Sequence, residues 1–188
     1  MEGPFVVVGG DAAGMSAASK AKREDPGLEV IVFERGEWVS YAACGLPYYV
    51  KGAVESLDDL VTVTPEAFRE ERGIDLRTGH EVVAVDPEAR TVTVDGPDGR
   101  VEQPYGALLL ATGAHAVEPP IEGMDLAGVF TLHSLPAARA VREYLGFDAA
   151  GPADGEPAVG RAAVVGGGYI GIETAEAFAA RGLEVHLF

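Results

Sequence analysis

The chain has 188 residues, 14 of them basic and 30 acidic, for a formal net charge of -16. At roughly 100 to 200 residues per domain this is one full domain with a buried core and at most part of another, so a complete two-domain enzyme is excluded. The acidic balance would repel a phosphate backbone and argues against nucleic acid as a partner, while a 47% apolar share with 25 glycines and 7% aromatics describes an ordinary globular chain.

Phe5-Val6-Val7-Val8 is a short apolar run that breaks into Gly9-Gly10-Asp11-Ala12-Ala13-Gly14, followed by small residues as far as Arg23. That pattern predicts strand, tight turn and helix. A second strand, Leu28 to Phe33, ends on Glu34 and completes a parallel strand-helix-strand unit. Thr64 and Pro65 predict an N-cap and first helical position for a helix reaching about Arg72. The period then changes: Glu81 to Val85, Thr91 to Asp95 and Val101 to Gln103, separated by turn residues, predict an antiparallel meander. Leu108 to Ala111 is a further buried strand leading into Thr112-Gly113-Ala114, and a helix is predicted from about Pro136 to Leu145. Residues 146–160 are rich in Gly, Pro, Ala and Asp and predict a linker or surface loop. Beyond them the first pattern begins again. Ala162 to Val165 runs into Gly166-Gly167-Gly168-Tyr169-Ile170-Gly171, then a helix to Arg181, Gly182 as its C-cap, and a strand from Glu184 to Phe188. A second dinucleotide module is thus begun, and the 188 residues are expected to be part of a longer protein.

Met1-Glu2-Gly3-Pro4 lacks the basic region of a secretory signal, and the longest apolar runs fall far below the ~18 residues of a membrane span, so a soluble cytoplasmic protein with no membrane partner is expected. One cysteine, Cys44, excludes an internal disulfide and a Cys-rich zinc site. His80, His115, His133 and His186 are scattered without ligand spacing, so no metal site is expected.

A nucleotide pyrophosphate needs backbone N-H groups at a helix N-terminus with no side chain in the way, and glycines in a strand-to-helix turn provide both. Gly166, Gly168 and Gly171 complete that fingerprint. The first turn has Asp11 in place of the middle glycine, which weakens it. Gly9 and Gly14 are nonetheless correctly placed, and Glu34, 20 residues after Gly14 at a strand end, can accept hydrogen bonds from an adenosine ribose. Cys44 lies soon after Glu34 in Ser40-Tyr41-Ala42-Ala43-Cys44-Gly45-Leu46-Pro47-Tyr48-Tyr49. A cysteine at a helix start has its thiolate stabilised by unpaired N-H groups, and in a helical segment Ser40 and Cys44 would face the same side.

These residues resemble the flavin-dependent pyridine nucleotide-disulfide oxidoreductases, in the single-cysteine branch that contains coenzyme A-disulfide reductase, NADH oxidase and NADH peroxidase. The resemblance rests on Gly9 to Gly14, Phe33-Glu34-Arg35, Ser40 to Tyr49, Leu109 to Ala114 and Gly166 to Glu173, in family order, and covers the chain as the N-terminal two-fifths or so of such an enzyme. It implies an α/β fold: a Rossmann-like FAD-binding domain with an antiparallel meander insertion over residues 1–115, a connection over 116–145, the linker at 146–160, and the start of a second Rossmann domain for NADH or NADPH over 161–188. It implies FAD at Gly9, Gly10, Gly14, Glu34 and Arg35, with Ala111, Thr112 and Gly113 closing over it and the backbone near Val82 and Val83 touching the adenine. The nicotinamide coenzyme falls to Gly166, Gly168, Tyr169, Ile170, Gly171 and Glu173, and Cys44 becomes the redox-active residue.

The dithiol branch carries a second cysteine where Tyr49 stands, and the oxidase and peroxidase relatives carry a histidine where Ala12 stands. Both departures favour coenzyme A disulfide, or a related small disulfide or persulfide, as the acceptor. The coenzyme A-disulfide reductases hold the coenzyme partly along the first helix, where this chain has Ser16, Lys20 and Arg23 on one face, with Ser40 and Arg72 as further contacts. Ala43 departs from the Asn usual before the cysteine. The expected function is electron transfer from NADH or NADPH through FAD and Cys44 to coenzyme A disulfide, in a homodimer at full length. The alternatives are an NADH oxidase, peroxidase or persulfide/polysulfide reductase of the same family, or a non-catalytic fragment that holds FAD weakly at most.

Overall fold

A computed structural model describes residues 2–147 and 159–188, so most of the predicted 146–160 linker lies outside the described residues. Contacts divide the chain into two compact units, Met1–Tyr41 with Val61–Ala114, and Ala42–Leu60 with His115–Phe188.

The first unit is built on a parallel sheet of β1 (Phe5–Val8), β2 (Val30–Glu34), β3 (Asp75–Thr78) and β7 (Ala107–Leu110) in the order β3-β2-β1-β7. Phe5 sits between Val30 and Ala107, which fixes the register on both sides of the central strand. β1 and β2 are almost wholly buried because both faces of the sheet are covered, as continuous apolar runs in a parallel sheet require. One face packs Val7, Val30 and Val32 against Met15 and Ala18 of α1 (Ala12–Glu24) and against Phe68. The other packs Val6, Ile31 and Phe33 against Val92 and Val94 of an antiparallel meander. The meander consists of β4 (Glu81–Asp86), β5 (Thr91–Gly96) and β6 (Gly99–Pro104), in the order β4-β5-β6, as expected.

Three local features differ from expectation. β7, expected to be buried, is the edge strand of its sheet and is only half-buried, with Leu110 exposed. The helix after Thr64 is capped as predicted, the Thr64 hydroxyl accepting from the Ala67 N-H at 3.2 Å, but it widens into a π-helical turn over Ala67–Glu71 whose last bond runs from Arg72 N-H to Ala67 C=O. The edge strand β3 was not foreseen: only Leu76 of Asp-Leu-Arg-Thr is buried, and three polar neighbours erase the apolar pattern.

In the second unit, a 3₁₀ turn (Ala43–Gly45) leads into α2 (Leu46–Lys51), which ends on Gly52 in the left-handed region at φ 85°. α3 (Leu135–Tyr144) is capped by Ser134, whose hydroxyl accepts from Ala137 N-H. β8 (Arg161–Val164), α4 (Tyr169–Ala180) and β9 (Glu184–Leu187) repeat the strand-helix-strand pattern, with β8 and β9 paired in parallel. The fold is therefore mixed α/β, with a Rossmann-type parallel sheet and an antiparallel sheet. Among the described residues no helix is long and apolar enough to cross a membrane, and no cluster of His, Cys, Asp and Glu is arranged to hold a metal ion.

Candidate functional site

In the first unit the connections from β1 run to β2 on one side, while β7 lies on the other, so the sheet order reverses between β1 and β7. Ligands of open parallel sheets bind outside the carboxyl ends of the strands at such a point. Gly9 follows β1 there and has φ 109°, and a Cβ on it would collide with the carbonyl of Ala111 just after β7. A Cβ on Gly14 would collide with the Gly9 carbonyl oxygen, so both glycines are dictated by close approach of backbone to backbone. Gly10 has the same constraint from side chains, its Cβ falling 2.8 Å from Val39 and 2.9 Å from Glu34.

Asp11, the departure from the glycine pattern, takes φ -101° and ψ -159°, an extended conformation any residue adopts. Its carboxylate accepts from the Tyr41 N-H at 3.3 Å rather than from the first turn of α1, which has no side-chain cap. Those first-turn N-H groups therefore keep the capacity to meet an anion. Glu34 does not hang into solvent: one carboxylate oxygen accepts from Gly10 N-H at 2.7 Å and the other from Gly36 N-H at 2.7 Å. A carboxylate has about four acceptor positions, so hydroxyl donors of a ribose can still be met. The uncapped helix, the two collision-limited glycines and this carboxylate fit a bound dinucleotide.

Burial pushes the Tyr41 phenol above its ordinary pKa, and the charges of Asp11 and then Glu34 push it further. Ser40 stands at φ 49°, its N-H donating to Gly10 C=O at 3.0 Å and its hydroxyl 2.9 Å from that of Thr62. Tyr41 bridges to Val61. The expectation of one helix face shared by Ser40 and Cys44 is thus not met. The left-handed Ser40 and the bridge at Tyr41 interrupt the segment, Cys44 lies in the 3₁₀ turn, and α2 begins only at Leu46. The Cys44 side chain is exposed. A Cβ on Gly45 would collide with Leu60, so the residue after the cysteine is glycine for packing reasons.

Thr112 and Gly113 are exposed after β7, with Gly113 at φ 65°. Arg35 is exposed, 4.0 Å from Glu81. A bulge in β4 between Val82 and Ala84 leaves Val83 without a partner across the ladder, while Val82 packs inward. Ser16, Lys20 and Arg23 are all exposed on α1, Lys20 paired with Glu24. Arg72 is engaged within the unit, donating to the Ser19 hydroxyl at 2.9 Å and lying 4.7 Å above the Phe68 ring.

In the second unit Gly166 has φ 111°, and a Cβ on Gly171 would collide with its carbonyl oxygen, repeating the Gly9 and Gly14 relation. Gly168 is the N-cap of α4 with no side-chain cap. Tyr169 and Ile170 are exposed and Glu173 is half-buried. Sequence reasoning missed Thr62, which anchors Ser40, and Arg142, a charged residue at i+7 from Leu135 and i+4 from Ala138 on the apolar stripe of α3. That stripe was the signal that the arginine is buried.

A family model described as pyridine nucleotide-disulphide oxidoreductase matches residues 3–188. The chain belongs to this family. Among its members, the chain is 45% identical over 185 residues to the NAD(P)H coenzyme A polysulfide/persulfide reductase of Pyrococcus horikoshii, covering 98% of this chain and 39% of that protein. It is 35% identical to the coenzyme A disulfide reductase of Staphylococcus haemolyticus, covering 97% and 39%. The reduced CoADR-RHD protein of Bacillus anthracis superposes with a TM-score of 0.90 at 34% identity, covering all of this chain and 32% of that one. The chain thus spans about two-fifths of the curated family members it matches.

Proposed function

We propose that this chain is the FAD-binding portion and the start of the nicotinamide-binding portion of a reductase that passes two electrons from NADH or NADPH to a coenzyme A disulfide through Cys44. Residues 1–115 carry the FAD part, 116–145 connect, and 161–188 open the nicotinamide part. FAD, when bound, supplies the two-electron relay between the reduced nicotinamide and sulfur.

The observation that carries this reading is the pair of glycine turns closed by the same backbone approach, Gly9 to Gly14 and Gly166 to Gly171, each opening an uncapped helix. Gly9, Gly10 and Gly14 let the turn close so that the backbone N-H groups at the start of α1 face the pyrophosphate, and Glu34 orients the ribose. Ala111, Thr112 and Gly113 close the site, Arg35 flanks it, and the backbone at the Val83 bulge, beside Val82, meets the adenine. Gly166, Gly168, Tyr169, Ile170, Gly171 and Glu173 serve the nicotinamide coenzyme. The Cys44 thiolate attacks one sulfur of the disulfide, forming a mixed disulfide and expelling one coenzyme A thiolate. Two electrons and a proton then release the second thiol and restore the Cys44 thiolate. Ser16, Lys20, Arg23, Ser40 and Arg72 bind the coenzyme A portion. The full-length protein is a cytoplasmic homodimer.

Similarity to a polysulfide/persulfide reductase supports a second reading, in which the sulfur expelled by Cys44 comes from a coenzyme A persulfide. Steady-state kinetics of the full-length enzyme on coenzyme A disulfide, coenzyme A persulfide and hydrogen peroxide separate the readings. A higher kcat/KM for the disulfide supports the first and for the persulfide the second. A higher value for peroxide contradicts both.

A further inference from the structure

We propose that Arg142 is a positioning residue for Cys44, resting on the reading above that Cys44 is the redox-active thiol. Among the described residues, Arg142 is the only charged side chain that is buried, at 4% exposure. A buried charge is retained only when hydrogen bonds replace its lost hydration. Three of these replacements come from the segment that follows Cys44. Nη1 donates to the carbonyls of Tyr49 at 3.3 Å, Val54 at 3.3 Å and Glu55 at 3.1 Å. One nitrogen with two hydrogens thus serves three acceptors. Nε donates to the Phe147 carbonyl at 3.2 Å, beyond the end of α3, and the guanidinium lies 4.5 Å above the Tyr49 ring.

α2 has six residues, whereas isolated helices shorter than ~12 to 15 residues are marginal in water. Its direction must therefore come from outside. From α3, Arg142 gathers the C-terminal end of α2 and the chain after it. From α4, Glu176 pairs with Lys51 at 2.7 Å, and Arg181 rides so close over Gly52 that a side chain there would collide with it. The 3₁₀ turn bearing Cys44 joins α2 directly, with Gly45 as its N-cap. A tilt of α2 therefore swings the thiol. Lysine replaces it only in part, since one ammonium cannot reach both the Phe147 carbonyl met by Nε and the three carbonyls gathered by Nη1.

The test compares Arg142→Lys and Arg142→Met with the wild-type full-length holoenzyme. Three quantities are measured: the rate and pH profile of Cys44 alkylation by iodoacetamide, followed by mass spectrometry; kcat for the coenzyme A disulfide; and the rate of flavin reduction by NADH or NADPH. The expected result is kcat roughly 10- to 100-fold lower, as for a displacement near 1 Å of a reacting group, with a changed alkylation profile and unchanged flavin reduction. Arg142→Lys should recover only part of the loss. Should Arg142→Met not fold, Arg142→Lys and Tyr49→Leu, which removes the ring beneath the guanidinium, must show smaller losses in the same direction. Lower thermal stability with alkylation and kcat per folded molecule unchanged would overturn the inference. Cys44→Ser is the parallel control. If it abolishes turnover while the Arg142 variants change nothing, only the Arg142 inference fails. If Cys44→Ser keeps turnover, the redox reading fails, and the alkylation profile still judges whether Arg142 holds the Cys44 turn.

Discussion

The two glycine turns share one local design and differ in their surroundings. In each, a glycine at φ near 110° is followed five residues later by a glycine whose missing Cβ lets the helix pack on the first one's carbonyl. Gly9 is also pressed against Ala111, and its turn is tied by Glu34 to Gly10 and by Asp11 to Tyr41. Among the described residues nothing lies within 4 Å of a Cβ placed on Gly166, Gly167 or Gly168. The turn itself is thus a property of the local sequence, and at Gly9 it is further held by residues far along the chain.

Gly9→Ala and Gly166→Ala break that comparison most sharply. Both carry the left-handed strain of about 1 to 2 kcal/mol, but only Gly9→Ala adds an overpacking cost of about 1 to 3 kcal/mol against Ala111. Chemical denaturation of the two variants should show the larger loss at Gly9. Equal losses would mean that the Ala111 approach relaxes freely. Next in size, Glu34→Gln leaves one of two backbone N-H groups facing an amide NH2, a cost of about 1 to 3 kcal/mol, and should also weaken FAD binding in the full-length enzyme. Unchanged stability and unchanged FAD affinity would remove Glu34 from the account.

A smaller effect is expected on the exposed face of α1. Neutralising Lys20 and Arg23 together should raise KM for coenzyme A disulfide with little change for a small uncharged disulfide, since only the former carries phosphates to be paired. The Lys20 pair with Glu24 is solvent-exposed, and exposed pairs of this kind are worth ~0 to 1 kcal/mol, too little to hold Lys20 against a competing phosphate. Equal losses on both disulfides would assign the two residues to folding.

The smallest effect concerns Tyr41. Its folded pKa is raised above 10.0 by burial, then Asp11, then Glu34. The neutral phenol therefore contributes stability that is complete below the unfolded pKa and lost as pH rises through the folded one. Tyr41→Phe should unfold less steeply with pH in that alkaline range, and Asp11→Asn should lower the phenol pKa more than Glu34→Gln does. The reverse order would displace Asp11 from the turn.

Elements with an uninterrupted pattern were legible in the sequence: the apolar runs of β1 and β2, the alternation of the meander, and both glycine turns. β3 was not, because its burial depends on pairing Leu76 with Val32 across the sheet rather than on its own composition. Glu34 was legible as an acid at a strand end. Its bonds to Gly10 and Gly36, and the bond from Tyr41 to Asp11, depend on segments brought together only by folding. Arg142 had a legible signal in its apolar helix face, but the three acceptors of its Nη1 lie 87 to 93 residues away in sequence.

Whether electrons reach the disulfide through Cys44 only after the flavin is reduced is decided by Cys44→Ser in the full-length enzyme. Stopped-flow mixing with NADH or NADPH follows flavin bleaching, and a second mix with coenzyme A disulfide follows its recovery under anaerobic conditions. Bleaching at the wild-type rate and no recovery on adding the disulfide are expected. Recovery at the wild-type rate would contradict that, because the acceptor would then be reduced without the cysteine.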